Sequence, residues 1–530
     1  MTSSTFSSKC SPSLENASKN MKQKIIIIGG GVAGLTAGIY AQKAGFDSVV
    51  YEKNPVLGGQ CTGWKRKGFY IDNCITWLTN GAPKFPVYKM WKEVGFLGDE
   101  DGNPIMARQH DAFWTSELNG QSYTFWADLK RAEKEMLELS PQDKKEIRRF
   151  FRAVKMCENL RVPYTAPMDM MNLWELAKLG LRMIPVGIAM AAWSKTDIND
   201  LAERFKHPLL KKAFKDYLPG DYLASIFMNA YASISNGGGG VPDGGSFKVA
   251  QRMKAIYEKL GGVCRAASPV KEILLEDAGK GKKRSPGILL ESGEKVLGDY
   301  VIPTCDPHYL FHNLIDEKYM PPRLKYAYER PDEHKNGSTF HVVYECSTPA
   351  PEIGRRTYFE CRPFDIAGVT ISRINMKNYN KDPVNAPAGK ALIEVKILEK
   401  EPQFLYWKNL RETDKAAYDA AKQKAAADIL ERLLERVPSL KGKLSCLDVW
   451  TPYTYTRYCN SYMGNFMTFI TTKKSSNLFN IKGTLEGLEN VVLAGQWLSM
   501  PGGLPMAMTS GKFAVQRILR SQGKSIKIEP

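Results

Sequence analysis

Residues 24–53, KIIIIGGGVAGLTAGIYAQKAGFDSVVYEK, decide the fold. The run Ile25–Ile28 has the length and β-branching of a buried strand, and it feeds directly into Gly29-Gly30-Gly31-Val32-Ala33-Gly34. A helix-forming stretch follows, then a second β-branched run, Ser48 to Tyr51, closed by Glu52 and Lys53. Each part has a physical reason in a dinucleotide fold. Gly29 permits the tight turn out of the strand, Gly31 lets backbone N–H groups approach a pyrophosphate, and Gly34 lets the helix lie close on the sheet. The helix N-terminus presents its positive end to the phosphates. Glu52, about 20 residues beyond the glycines, can accept hydrogen bonds from ribose hydroxyls. A glycine-rich turn alone would carry little weight. Strand, glycines, helix, strand and acid in that order predict a nucleotide-binding βαβ unit.

Three later segments bear on the same ligand. Gly58-Gly59 follows Glu52 in NPVLGGQCTGW, with Gln60 next. Asp243-Gly244-Gly245-Ser246 precedes a helical stretch from Phe247 to Leu260, then Val263-Cys264-Arg265, Val270 and a hairpin around Gly293. Near the end, Asn490 to Gln496 reads as a buried strand meeting a glycine turn, and Pro501-Gly502-Gly503-Leu504-Pro505-Met506 opens a helix to about Arg520. On these segments the chain resembles the FAD-dependent phytoene desaturase, carotenoid isomerase and retinol saturase family, relatives of the amine oxidases.

The resemblance implies FAD as cofactor, held at Gly29, Gly31, Ala33, Gly34, Glu52, Lys53, Gly58, Gly59, Gln60, Val270, Gly495, Gln496, Gly503 and Met506. It puts the adenine at the Val270 backbone and the phosphates beside the Gly58-Gly59 loop. The ribityl chain and flavin pyrimidine edge fall at the C-terminal motif, where the helix dipole would favour negative charge on a reduced flavin. Two positions depart from the family pattern: Gln60 stands where Arg is frequent, and Gln496 where Asp commonly follows the glycine. Asp72, in GFYIDNCITWLTN, matches an acidic position in a segment that passes the flavin ring; capping of the backbone that follows is the alternative.

The expected fold class is α/β: a Rossmann-like FAD-binding domain of discontinuous segments plus an α+β substrate domain with a mixed sheet and a helical lid. Residues 22–100, 240–310 and 480–530 are assigned to the FAD domain, and 101–239 and 311–479 to the substrate domain. Residues 1–21, rich in Ser and without an apolar core, read as a disordered tail. Ala112–Leu118 and Gln121–Trp126 flank Asn119-Gly120, the signature of a hairpin with a two-residue turn. Ser140-Pro141 starts a helix toward Val154. Strands are expected at 338–346, 367–375 and 391–397, and a helix at 414–436. Residues 448–470, DVWTPYTYTRYCNSYMGNFMTFI, are unusually aromatic. Taken as extended, this segment puts Tyr453, Tyr455 and Arg457 on one face. That face would line a tunnel for a long apolar chain, with Arg457 near a polar end, or pack as ordinary sheet core.

At 530 residues, 43% hydrophobic and 25% charged, the chain has the composition of a globular protein able to bury large cores. Its formal net charge of +18 fits a lysine-rich surface, or attraction to anionic membranes that would suit a lipid-like substrate. No nucleic-acid module or basic-aromatic block is present. Ten scattered cysteines, without a CxxC pair or a Cys/His cluster, argue for a reducing, cytoplasmic setting and against a metal site. No segment supplies the roughly 20 apolar residues needed to span a bilayer. Met183 to Trp193 is apolar but short, holds Pro185 and follows Lys178 and Arg182; Met170 to Trp193 reads as an interfacial helix or as a lid over the substrate domain.

Function follows as an expectation. An FAD-dependent oxidoreductase would move a hydride between flavin N5 and an unsaturated isoprenoid, carotenoid or other lipid, by desaturation, isomerisation or saturation. An apolar tunnel would bind this apolar small molecule chiefly by burial. The sequence assigns no acid/base pair and no electron acceptor or donor. The six histidines lack catalytic spacing; His308, nearest the flavin segments, and Cys61, beside the glycine pair, read as packing residues. The rival readings are an amine oxidase on the same fold and a non-catalytic lipid- or prenyl-binding protein resembling Rab GDP-dissociation inhibitors. The complete glycine fingerprint, Glu52 and the C-terminal motif argue against the second.

Overall fold

The Ile25–Ile28 run is hydrophobic at every position because its strand is covered on both faces, as parallel strands are. In the computed structural model, which describes residues 22–379, 384–475 and 481–528, Lys24–Ile28 lies inside a parallel sheet. Asp47–Tyr51 pairs with it on one side and Tyr300–Pro303 on the other, and Val263–Arg265 extends the sheet beyond Asp47–Tyr51. Val491 bridges Val301 in the same direction, so the run from Asn490 continues the opposite edge. Distant stretches of chain thus build one sheet, in the order a Rossmann-like domain requires. The tail assigned to residues 1–21 lies outside the described residues.

The turn after the first strand is held by contact rather than by propensity. Gly34, in the first turn of the Val32–Lys43 helix, would drive a Cβ into the Gly29 carbonyl oxygen, so only hydrogen fits. The helix is buried continuously from Val32 to Ala41. Leu504–Ser521 packs on it through Gly511, where an added Cβ would lie 2.5 Å from the Ala33 oxygen and 2.8 Å from the Ala37 nitrogen. The Gly245–Lys259 helix is tied to the same unit by the Tyr257 hydroxyl, which donates to the Ser48 carbonyl at 2.7 Å.

A second, seven-stranded sheet runs in the order Leu444–Trp450, Ser338–Cys346, Ala391–Glu399, Val369–Asn378, Arg356–Ile366, Ala112–Leu118, Gln121–Trp126. Its neighbours are antiparallel except Arg356–Ile366 and Ala112–Leu118, which makes the sheet mixed. Alternation sends Phe340, Val342, Tyr344, Ile393, Val395 and Ile374 to one face, where they pack with the Lys415–Arg436 helix. The other face carries His341, Glu394, Lys396, Asn375 and Arg356. The Asn119-Gly120 hairpin forms as expected, with φ of 50° and 75°. Helices between Leu129 and Ser235 enclose an aromatic core in which Phe150, Phe227 and Tyr231 stack. Among them, Leu173–Ala192 starts at an Asn172–Glu175 capping box and contains Pro185.

One local reading is corrected. Pro452–Cys459 is a helix, not an extended segment. Thr451 forms a capping box with Thr454, and Pro452 takes the first helical position, where its missing N–H removes no bond. Tyr455 is therefore turned away from the face that Tyr453 and Arg457, one turn apart, share. Tyr455 is buried, the Tyr453 hydroxyl donates to Glu412 at 2.7 Å, and Arg457 is exposed.

Candidate functional site

Two helix N-termini without side-chain caps open onto one cavity. Gly31 precedes Val32–Lys43, Gly503 precedes Leu504–Ser521, and neither can cap its helix with a side chain. First-turn N–H groups are therefore left for an anionic or polar ligand. The cavity measures about 1770 Å³. That exceeds the roughly 300–1,000 Å³ of a single small-molecule site and leaves room for a dinucleotide with a second molecule. A Cβ added at Gly31 would find Gly59 Cα as its nearest neighbour, at 3.8 Å, and would project into this space.

Of the residues expected to hold FAD, all but Gly34 border the cavity. Gly34 serves the close packing described above. Glu52 is 5% exposed, and its carboxylate accepts from the Gly30 N–H at 2.8 Å and from both nitrogens of Asn54 at 2.9 and 2.7 Å. These bonds fix the acid at the strand end and leave lone pairs for ribose hydroxyls. Lys53 reaches Asn460 and the Arg457 carbonyl. Gly58 pairs with Gly31, which brings the second glycine loop against the first. The two departures from the family pattern have partners within the chain. Gln60 donates to the Asn465 carbonyl at 2.9 Å, and Gln496 accepts from the Gly503 N–H at 2.9 Å. Each closes a loop of the cradle. Bare glycines, open helix ends and an anchored acid fit FAD.

Asp72 does not border the cavity. Its carboxylate accepts from the Ser246 N–H at 2.7 Å, the Ser246 hydroxyl at 2.5 Å and the Cys74 N–H at 3.0 Å. The Cys74 bond is the capping of the following backbone considered above, and the Ser246 bonds also cap the Gly245–Lys259 helix, which the sequence alone did not indicate. His308 lies between His312 and Tyr462, with ring centroids 4.1 and 4.4 Å away. Cys61 is buried at the cavity edge with its thiol toward the Ser246 carbonyl at 3.5 Å. Asp306, also on the cavity, is pushed up to about 7 by burial, although the Tyr462 and His308 N–H groups each donate to it at 2.9 Å.

Of Tyr453, Tyr455 and Arg457, only Tyr455 reaches the cavity. Its hydroxyl donates to Asn73 at 3.0 Å and lies 3.3 Å from His341 Nε2. Around it stands a polar group that sequence reasoning missed. His341 Nδ1 is 2.9 Å from Glu394, the Tyr379 hydroxyl donates to Glu394 at 2.8 Å, and Lys377 donates to Tyr379. Burial opposes ionisation of Glu394, yet the His341 hydrogen bond and the Lys377 charge hold it well below the usual carboxylate range. Burial brings His341 down to about 4, Lys377 to about 7 and Lys396 to about 8. Glu394, Lys396, Asn375 and Arg356 border the cavity. Their signal in the sequence is a charged–apolar alternation, which a solvent-facing strand also produces. Another part of the wall is apolar: Leu176, Leu179, Met183 and Met190 from Leu173–Ala192, with Ile226 from Ala224–Ser235.

Known proteins resemble this chain along nearly all its length. The family model for flavin-containing amine oxidoreductases matches residues 32–519. The 4,4'-diaponeurosporene oxygenase of Staphylococcus haemolyticus (strain JCSC1435) is 23% identical over 514 residues, covering 94% of this chain and 97% of that protein. Its counterpart in Staphylococcus aureus (strain MW2) is 22% identical, covering 96% and 100%. An oxidoreductase structure from Methanosarcina mazei superposes with a TM-score of 0.55 at 17% identity, over 93% of this chain and 100% of that one. Putrescine oxidase bound to putrescine gives 0.57 at 12% identity, over 94% and 100%. At these identities the structural likeness establishes the fold.

Gly31→Val should remove the flavin and spare the fold, because the new side chain enters the cavity. The purified variant is expected to be colourless, with the unfolding temperature of wild-type apoprotein; full flavin absorbance would place the phosphates elsewhere. Asp306 holds its proton more tightly folded, near 7, than unfolded, near its ordinary value of about 4. Its contribution to stability is therefore full below about pH 4 and is lost as pH rises through 7, on the order of 2–4 kcal/mol. Asp306→Asn should flatten that part of the apoprotein's stability profile, measured by urea unfolding across pH.

Proposed function

Because the chain belongs to the family of flavin-containing amine oxidoreductases and is an FAD-dependent oxidoreductase, we propose that it moves a hydride between FAD and an unsaturated, largely apolar isoprenoid, carotenoid or other lipid. FAD, when bound, supplies the hydride acceptor or donor. The chain supplies placement, with residues 22–100, 240–310 and 480–530 as the flavin domain and 101–239 and 311–479 as the substrate domain. One observation carries the reading: a single cavity joins the glycine turn to the apolar wall of Leu176, Leu179, Met183, Met190 and Ile226. A hydrocarbon buried there gains about 25 cal/mol for each Å² removed from water. Placement against that wall fixes which allylic C–H meets the flavin, and this requirement is common to desaturation, isomerisation and saturation. The name diaponeurosporene oxygenase, carried by the relatives in Staphylococcus, supports a carotenoid-like substrate. The amine oxidase reading is less favoured by charge, since Arg356 and Lys396 border the cavity while the acids beside them, Glu394 and Asp216, are already paired with His341, Lys377 and Arg373.

The same helix that forms the apolar wall offers the route in. Outside the cavity, Leu173, Trp174, Leu181, Ile184 and Ile188 are 86, 76, 70, 51 and 56% exposed. Lys178 and Arg182 stand among them. Among the described residues no helix is long and apolar enough to cross a membrane. An interfacial helix needs only such an outer face, and the net charge of +18 favours anionic headgroups. In this reading the lid and the membrane contact are one element, and a lipid passes from bilayer to cavity beside it.

Anaerobic mixing with polyenes and unsaturated fatty acids should bleach the oxidised holoenzyme, or re-oxidise it when prereduced if the reaction is saturation. A product of unchanged mass that requires flavin marks isomerisation. Bleaching by putrescine and other amines alone would replace this reading with the amine oxidase. In flotation, the protein should rise with phosphatidylglycerol vesicles and stay behind with phosphatidylcholine. Leu181→Asp with Ile184→Asp should cut the bound fraction about tenfold or more; unchanged flotation would remove the helix from the contact.

A further inference from the structure

The polar floor of the cavity carries more positive than negative charge. Strand register sets Arg356 beside Lys377, Tyr358 beside Asn375, and Lys377 beside Glu394, with Lys396 on the same face as Glu394. The acids are already engaged: Glu394 with His341 at 2.9 Å and Lys377 at 3.7 Å, and Asp216 with Arg373 at 2.5 Å. Among the described residues, Arg356 and Lys396 form no ion pair. The Arg356 guanidinium sits 5.4 Å from the Tyr217 ring centroid, and the Lys396 amine 4.5 Å from that of Phe466. Both cations border the cavity and are largely withdrawn from solvent. Arg356 is among the charges that hold the Lys396 amine down. Glu394 is the acid that favours both charges, and it is already held by His341 and Lys377, so a purely hydrocarbon substrate would bring the two cations no contact of their own.

We propose that Arg356, with Lys396, receives the carboxylate end of the substrate, which is then an unsaturated lipid acid rather than a plain hydrocarbon. The inference rests on the unsaturated-lipid reading of this cavity and deepens it. A guanidinium presents paired N–H donors that match the two carboxylate oxygens, and the Tyr217 ring beneath holds its plane. Lys396 supplies a second, compact charge. With the acid anchored at the sheet, the chain of the lipid lies along Leu179, Met183 and Ile226, and the distance from the carboxylate selects the reacting carbon.

The test uses the FAD-loaded full chain and calorimetric titration with linoleic acid and retinoic acid, each against its methyl ester. Wild type should bind at least one acid about tenfold or more tighter than its ester. Arg356→Met should bring that ratio near one with the ester affinity as control, and Arg356→Lys should restore part of it. Equal affinity for acids and esters in wild type overturns the proposal, as does an Arg356→Met variant that weakens both alike. An Arg356→Met variant that retains the acid preference while shifting the flavin reduction potential assigns the cations to the cofactor, and overturns it too. Failure of the hydride reading is separately visible. Acid preference without flavin bleaching by any lipid leaves the anchor standing and removes the reaction; bleaching by neutral polyenes without acid preference does the reverse.

Discussion

Backbone contact at the first glycine turn is the constraint from which the rest of the molecule is built. The Gly29 carbonyl oxygen occupies the volume that a side chain at Gly34 would need, so the Val32–Lys43 helix meets the strand with no Cβ between them. Gly511 repeats the device one layer out, against the Ala33 and Ala37 backbone. Close packing of this kind fixes position to a fraction of an ångström, because interiors deform little. Its effect is to hold two helix N-termini, after Gly31 and Gly503, at the same cavity. A looser junction would still bury the apolar run Ile25–Ile28. It would not aim two sets of free N–H groups at one ligand.

The second sheet solves a different problem with one strand pattern. Its outer residues, Tyr344, Ile393 and Val395 among them, make an ordinary apolar core with Lys415–Arg436. Its inner face mixes charged residues with apolar ones such as Val343 and Leu392, and is covered in part by Phe69, Ile71 and Tyr455. Ionised groups are stable in such a place only when paired or when a ligand pairs them. Glu394, His341, Tyr379 and Lys377 satisfy one another, and Arg373 holds Asp216. The groups on this face that form no ion pair of their own, Arg356 and Lys396, are cationic and share the field of Glu394. That residue of charge is a property of the folded arrangement, not of the composition, since a surplus of lysine on the outer surface would have no bearing on the site.

Legibility in the sequence followed the range of the interactions. The βαβ unit from Lys24 to Glu52 was readable because strand, turn, helix and strand follow one another directly and Gly34 answers to the Gly29 carbonyl five residues back, and the Asn119-Gly120 hairpin because its turn is equally local. The aromatic segment 452–459 was read as extended because Tyr and Thr favour strands. Its helix is written in local signals too, Thr451, Pro452 and Thr454, and capping with a fixed φ outweighed intrinsic preference. Asp72 could be placed near the flavin ring or as a cap of the backbone that follows; it does accept from Cys74, but its other partner, Ser246, lies far along the chain, where no local signal points. The charged floor was illegible in principle. Arg356, Asn375 and Lys396 alternate with apolar residues as on any half-exposed strand, and only the helices from elsewhere in the chain turn that face into a cavity wall.

Three independent parts of the site narrow the chemistry in succession. The glycine cradle and open helix ends select a dinucleotide, and FAD bound there would supply redox chemistry. The apolar wall from Leu176 to Met190 admits a long hydrocarbon and gives a small polar acid little to bind. The positive floor repels amines and rewards an anion, which a hydrocarbon lacks. Any one of these features belongs to many enzymes, but together they favour the substrate proposed above, an extended unsaturated chain with an acidic end. The exposed face of Leu173–Ala192 fits the same molecule, because amphiphilic acids reside at membrane surfaces with the chain in the bilayer and the carboxylate at the headgroups. The substrate proposed from the interior of the cavity is thus the one that the exterior of its lid is shaped to meet.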